Sequence, residues 1–256
     1  MASTLNIACL ASGGGTTVAA VLGAIASGEL PHIRCGLVIA SRAEAGVIQK
    51  ALAAGMLAKH VAVIPRREFA DADMFGDAII DACRARYVDV IMQLGFIPRM
   101  PGNVIDTYRR SIANQHGGGL DPDRVVIKQP RPDFGGRGMM GKATHAAMFY
   151  YGHAWMQRTG ETTWHAEVTT HHVENGIDTG DLIARRLVPL YRHDTIDSFV
   201  ERILPAEHRL QIEVLKHLGM RGRLPSFKRA EPLVPHEMLP CLARAREKAT
   251  REFPKG

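Results

Sequence analysis

The stretch Asn6-Ile7-Ala8-Cys9-Leu10-Ala11-Ser12-Gly13-Gly14-Gly15-Thr16-Thr17 decides the fold. Residues 6–11 are a short apolar run that ends in glycines. Beyond it, Val18, Val21, Leu22 and Ile25 recur at helical spacing until Gly28. Strand, glycine loop and helix in that order open a βαβ unit. Further strands are expected over 34–40, 61–64 and 88–94. Helices are expected over 43–54, stopped by Gly55, and over 69–86, with Phe75, Ile79, Ile80 and Cys83 on one side. The run 88–94 is mostly apolar, as strands inside parallel sheets are. This alternation predicts an α/β fold with a doubly wound, mostly parallel sheet.

The second half is less regular. Residues 110–113 read as a strand leading into Asn114-Gln115-His116, followed by a Gly/Pro/Arg-rich stretch over 117–141. A helix is expected over 142–158 and strands over 162–172 and 182–190, with a turn at 174–180 between them, so the sheet becomes mixed at its C-terminal edge. A long helix is expected over 195–218. After Leu224 the chain has five prolines and is expected to wrap the surface. The domain reading is one domain over 1–224, with a division near residue 100, and an extension over 225–256.

The 256 residues are 46% hydrophobic and 23% charged, which describes an ordinary globular protein able to bury a sizeable core. No apolar run approaches a membrane span. Residues 1–10 lack the basic flank and cleavage site of a secretory signal, so a cytoplasmic protein without a membrane partner is expected. The formal charge is +6. That excess favours a small anionic substrate over nucleic acid, because the charges are dispersed and aromatic residues are only 6%. The basic cluster over 244–255 reads as a solvated helix end. The four cysteines, Cys9, Cys35, Cys83 and Cys241, show no CxxC spacing, so reduced buried thiols are expected, with neither disulfides nor a metal.

Gly13, Gly14 and Gly15 allow an anion to approach the backbone, the following helix offers free N–H groups, and Thr16 and Thr17 add hydroxyls. A dinucleotide fingerprint would need a third glycine where Val18 stands, and a Walker loop would need a lysine. A monophosphate cradle is the functional reading and a tight turn that binds nothing is the alternative. Asn114 and His116 are two apart at a strand end, so both point to one face. The amide suits a developing oxyanion and the imidazole suits proton transfer. Two solvated side chains at a strand end are the alternative. Asp178 lies in Gly176-Ile177-Asp178-Thr179-Gly180 and is also a natural turn residue.

Together, the Ser12-Gly-Gly-Gly-Thr-Thr loop, Asn114-x-His116, the later His171 and the Asp178-Thr179-Gly180 turn resemble the formyltransferase family. Leu94-Gly95-Phe96 is similar to the family's Ala-Gly-Phe. Asp194-Thr195-Ile196 opens a helix containing Glu207-His208, like the family's Glu-His pair. The resemblance covers about residues 5–220. It implies a Rossmann-like formyltransferase fold, with a phosphate-binding half over 1–100 and a folate and catalytic half over 101–224. It further implies 10-formyltetrahydrofolate as co-substrate, no metal, and an anionic amine as acceptor, by default glycinamide ribonucleotide in purine synthesis. Asn114, His116 and Asp178 would be catalytic and His171 would support them. Gly13, Gly14, Gly15, Thr16, Thr17 and Glu207 would hold the acceptor. Gly95, Phe96, Ile97, Glu174, Asn175, Gly176 and Ile177 would hold the folate. The resemblance leaves room for a homodimer.

The sequence also departs from the pattern. Gly117-Gly118-Gly119-Leu120-Asp121-Pro122 replaces Pro-Ser-Leu-Leu-Pro, and the stretch up to His145 is longer and carries Arg131, Arg137 and Lys142. Thr16-Thr17 replaces Ser-Asn, Phe96-Ile97-Pro98-Arg99 shifts the family's arginine by one place, and Leu204 stands where a polar ribose contact is expected. The insertion reads as a lid over a larger anionic substrate or as a surface loop. A nucleotide-linked amino sugar as acceptor, hydrolysis of the same folate, and a Rossmann module without chemistry are the competing functions.

Overall fold

Runs of apolar residues buried on both sides build the parallel part of the sheet. In the computed structural model, which describes residues 4–125 and 131–254, β1 (Leu5–Ala11) is buried in all but its first residue. β4 (Val90–Gln93) is buried throughout. β1 lies parallel between β2 (Ile33–Ala40) and β4, with Leu10 in register with Ile39 and Gln93. β3 (Val61–Val63) joins β2, and β5 (Ile112–His116) joins β4 so that Gln93 and Asn114 are register partners. β6 (Thr163–His172) and β7 (Leu182–Tyr191) are antiparallel. The strand order is β3-β2-β1-β4-β5-β6-β7. The fold is therefore α/β, mostly parallel, and mixed at the C-terminal edge, as the alternation of strands and helices predicts.

The chain divides into two compact units. Unit one comprises residues 1–115 and 211–225, and unit two comprises 116–210 and 226–256. Unit one carries α1 (Thr16–Ala26), α2 (Gly46–Ala53), α3 (Ala72–Arg84) and the short α4 (Gly102–Thr107), which the sequence reading lacks. The ends of α1 and α2 are followed by Gly28 and Gly55, both at positive φ. α3 begins at Ala72 because the Asp71 side chain accepts from Met74 N at 2.8 Å. Cys9 and Cys83 are buried and Cys35 is half-buried; all four cysteines are free.

Unit two holds α5 (Lys142–Thr159), the β6–β7 pair and α7 (Leu239–Glu252). The chain passes from unit two to unit one within α6 (Ile196–Arg221). The stretch after Leu224 is more than a wrapping. Pro240 stands at the first turn of α7, where a missing N–H costs nothing. Leu242, Ala245 and Ala249 are buried in one cluster with Val234, Met238, Tyr151 and Phe134. The insertion is anchored in the same cluster. Phe134 is 1% exposed and its ring centroid lies 5.6 Å from Tyr151 and 6.1 Å from Trp164. Residues 1–3 of the N-terminal stretch, 126–130 of the insertion and Lys255 of the basic tail lie outside the described residues.

Candidate functional site

In unit one the loop after β1 is built on close backbone packing. Gly15 has φ 68°, and a Cβ there would lie 2.5 Å from Val47 Cβ. Gly13 and Gly14 face open space, so their lack of a side chain keeps room beside the backbone rather than avoiding a clash. Thr16 is exposed, whereas Thr17 is 6% exposed and part of the core side of α1. Ser12, which carries no assigned role in the sequence reading, fixes this loop. Its N–H donates to Gly95 O at 2.9 Å and its Oγ accepts from Ile97 N at 2.8 Å. Ser41 Oγ meets Ser12 Oγ at 2.6 Å and Arg42 Nε donates to Ser12 O at 2.8 Å. Unit one thus brings together the residues expected to hold phosphate and those of the Gly95-Phe96-Ile97 turn. Phe96 is buried and Ile97 is exposed. Asn114 lies at the same carboxyl ends of the parallel strands, beside its register partner Gln93.

In unit two, His116 ends β5 and is 5% exposed. Its Nε2 lies 2.9 Å from Phe134 O. A carbonyl only accepts, so Nε2 carries the proton in this arrangement. Nδ1 faces Asp178 Oδ2 at 3.9 Å, beyond direct hydrogen-bond length but well within electrostatic reach. The other carboxylate oxygen of Asp178 lies 3.5 Å from His171 Nε2, and His171 Nδ1 lies 2.7 Å from His172 O. Gly136 N donates to Asp178 Oδ2 at 2.8 Å. Burial alone would raise the Asp178 carboxyl, but the His116 charge, the His171 hydrogen bond and the Gly136 amide outweigh it, so the group is held well below the usual carboxylate range.

The turn that carries Asp178 has local reasons for its sequence. Asp178 has φ 52°, in the left-handed region. A Cβ on Gly180 would sit 1.9 Å from His172 O, so only glycine lets this turn close onto β6. Glu174, Asn175, Gly176 and Ile177 are exposed on the same turn. On α6, Glu207 is 5% exposed and its Oε1 lies 3.2 Å from Nε2 of His145 on α5. A Cβ on Gly117 would lie 2.6 Å from His145 Nε2 and 2.8 Å from Glu207 Oε1. The glycine that follows His116 therefore admits the His145–Glu207 pair beside the strand end. His145 is the member sequence reasoning missed, and its only signal is a histidine at the start of a helix after a glycine-rich run.

Of Arg131, Arg137 and Lys142, two are already paired. Arg131 grips Asp133, and Lys142 Nζ lies 2.9 Å from Asp197 Oδ1, while Arg137 is exposed. Among the described residues no group of three or more His, Cys, Asp or Glu side chains is placed to hold a metal ion, and no helix is long and apolar enough to cross a membrane.

No protein-family model matches the chain. It is 27% identical over 213 residues to the chloroplastic phosphoribosylglycinamide formyltransferase of Vigna unguiculata, covering 83% of this chain and 60% of that one. It is 26% identical over 219 residues to phosphoribosylglycinamide formyltransferase of Bacillus subtilis, covering 85% and 97%. The crystal structure of glycinamide ribonucleotide transformylase 1 from Geobacillus kaustophilus superimposes with a TM-score of 0.64 at 26% identity, covering 84% of this chain and 98% of that one. The chain is thus similar in sequence and fold to phosphoribosylglycinamide formyltransferases. It presents the Asn-x-His strand end, the Asp-x-Gly turn and the Ser-Gly-Gly-Gly loop in such a fold, and adds to them a segment whose Phe134 and Met139 enter the core of unit two.

Proposed function

We propose that this chain transfers a formyl group from 10-formyltetrahydrofolate to the amine of glycinamide ribonucleotide in purine synthesis. The observation that carries the reading is the His116–Asp178 pair, with side chains only 6% and 12% exposed and 3.9 Å apart, in a chain whose relatives bear the names given above. The folate supplies the formyl carbon. Asn114 and His116 donate toward the oxygen of that carbon as negative charge develops on it; such donors act at about 3 Å. Asp178, held ionised, keeps a negative charge beside His116 Nδ1. As the attacking amine becomes cationic, the same carboxylate accepts its proton directly or through one water and delivers it to the folate nitrogen as the bond between that nitrogen and the formyl carbon breaks, releasing tetrahydrofolate. His171 holds the second oxygen of Asp178.

Gly13, Gly14, Gly15 and Thr16 receive the acceptor phosphate at the start of α1, where N–H groups point outward. Thr17 stabilises that turn from the core side. Glu207, oriented by His145, contacts the acceptor. Gly95, Phe96 and Ile97, with the turn carrying Glu174, Asn175, Gly176 and Ile177, receive the folate. Holding both reactants in register supplies a large part of the rate, of the order of several kcal/mol.

The test is product analysis with purified protein and 10-formyltetrahydrofolate. Formylated glycinamide ribonucleotide, formed in step with tetrahydrofolate, is the expected outcome. Formate released at the same rate without any amine would identify a hydrolase instead, and transfer confined to a nucleotide-linked amino sugar would remove the purine acceptor.

A further inference from the structure

Residues 131–136 lie in the segment that sets this chain apart from the formyltransferase pattern, and they touch both members of the His116–Asp178 pair. Phe134 O accepts from His116 Nε2 at 2.9 Å and Gly136 N donates to Asp178 Oδ2 at 2.8 Å. Arg131 Nη1 donates to Ile177 O and Nη2 to Asp178 O, each at 2.8 Å. The same guanidinium is bidentate on Asp133, with Nε to Oδ1 and Nη2 to Oδ2 both at 2.9 Å. Asp133 is fully buried and also accepts from Asp121 N at 3.0 Å and Gly135 N at 3.1 Å.

We propose that residues 131–136 form a clasp that positions His116 and Asp178 for formyl transfer, with Arg131–Asp133 as its latch; this rests on the reading in the preceding subsection. The carbonyls of Ile177 and Asp178 belong to the two peptide planes that flank the Asp178 Cα. Holding both planes fixes φ and ψ at that residue. Asp178 needs such a restraint, because a non-glycine residue at φ 52° costs about 1 kcal/mol or more over ordinary backbone. Only a planar fork can serve two carboxylate oxygens and two carbonyls at once; an ammonium cannot. On the other side of the pair, the Phe134 carbonyl keeps the proton on His116 Nε2 and so leaves Nδ1 toward Asp178. That carbonyl is itself fixed, because the Phe134 ring is packed against Tyr151 and Trp164. Arg131 and Asp133 act through these contacts and are positioning residues.

Arg131→Lys and Asp133→Asn test the clasp in the full-length protein. Both are expected to lower kcat about tenfold or more, since displacements of about 1 Å reach this size, with KM for folate and acceptor changed by less than about threefold. The nitrogen NMR signals of His116 are expected to change from a single form with Nε2 protonated to an exchanging mixture. A merely structural role would lower the folded fraction while leaving kcat per folded molecule and the His116 signals intact, and that result overturns the proposal. If one variant fails to fold, the His116 signals of the other decide. Asp178→Asn separates the two ideas. An inactive Asp178→Asn beside fully active Arg131→Lys and Asp133→Asn overturns the clasp alone, whereas full activity in Asp178→Asn overturns the catalytic reading and the clasp with it.

Discussion

Asp178 combines a largely buried carboxylate with a left-handed backbone angle that costs a non-glycine residue some energy, and its neighbours account for both. His116, His171 and the Gly136 amide favour the charged form more than burial opposes it. The folded-state value is thus lower than the unfolded one. The stability this gives is present above the unfolded value of about 4 and is lost as pH falls through the folded value. Denaturant unfolding between about pH 5 and pH 2 should show wild type losing stability more steeply on acidification than Asp178→Asn. At neutral pH the same substitution should lower kcat by about 10²-fold or more, measured as formyl transfer at saturating substrates. Asn114→Ala should cost a similar factor without unfolding the protein, because one oxyanion donor is worth about 10²-fold or more. Asn114, His116 and Asp178 are legible in the sequence because two share a strand face and the third sits in a glycine-bounded turn. Arg131 and His145 are not, because the Ile177 and Asp178 carbonyls that Arg131 meets, and the Glu207 carboxylate that His145 meets, lie far along the chain and no local spacing marks them.

At the scale of elements, the strand and helix signals hold wherever burial is two-sided or the apolar stripe is wide. The boundaries shift where a cap decides them, as Asp71 does for α3. The stretch after Leu224 misleads for a physical reason: its prolines disfavour regular structure mainly inside an element, and Pro240 falls in the first turn of α7, where no N–H is needed. The insertion misleads because glycine and arginine suggest solvent, while Gly117, Gly118 and Gly135 are there for close packing and Phe134 enters the core. Phe134→Ala should destabilise the protein by about 3–5 kcal/mol, read from urea midpoints at constant slope. Gly180→Ala should be more damaging to activity than an exposed loop substitution, because its methyl group meets the His172 carbonyl and the Asp178 turn must open. A Gly180→Ala variant with wild-type kcat would contradict that account.

Over the whole molecule, each unit is assembled from separated stretches of chain, which the sequence reading, dividing near residue 100, does not anticipate. Unit one needs residues 211–225 as well as 1–115. A fragment ending at Gln115 should therefore lack a cooperative thermal transition by circular dichroism, and supplying residues 211–225 on a linker should restore one. The excess of basic over acidic side chains suits an anionic acceptor, but its binding should depend on one loop. Thr16→Ala, which removes an exposed hydroxyl without touching the core, should raise KM for the acceptor more than KM for the folate.

Synthesis runs from β1 towards α7, so the growing polypeptide exposes the apolar wall of α5 and the ring of Phe134 until α7 arrives with Leu242, Ala245 and Ala249. A ribosome stalled upstream of that helix would carry a nascent chain with β5 and His116 already made but no finished environment around them. Slow codons or a truncating lesion in this stretch would act as quality-control events, engaging chaperones and proteases rather than yielding a partly active enzyme.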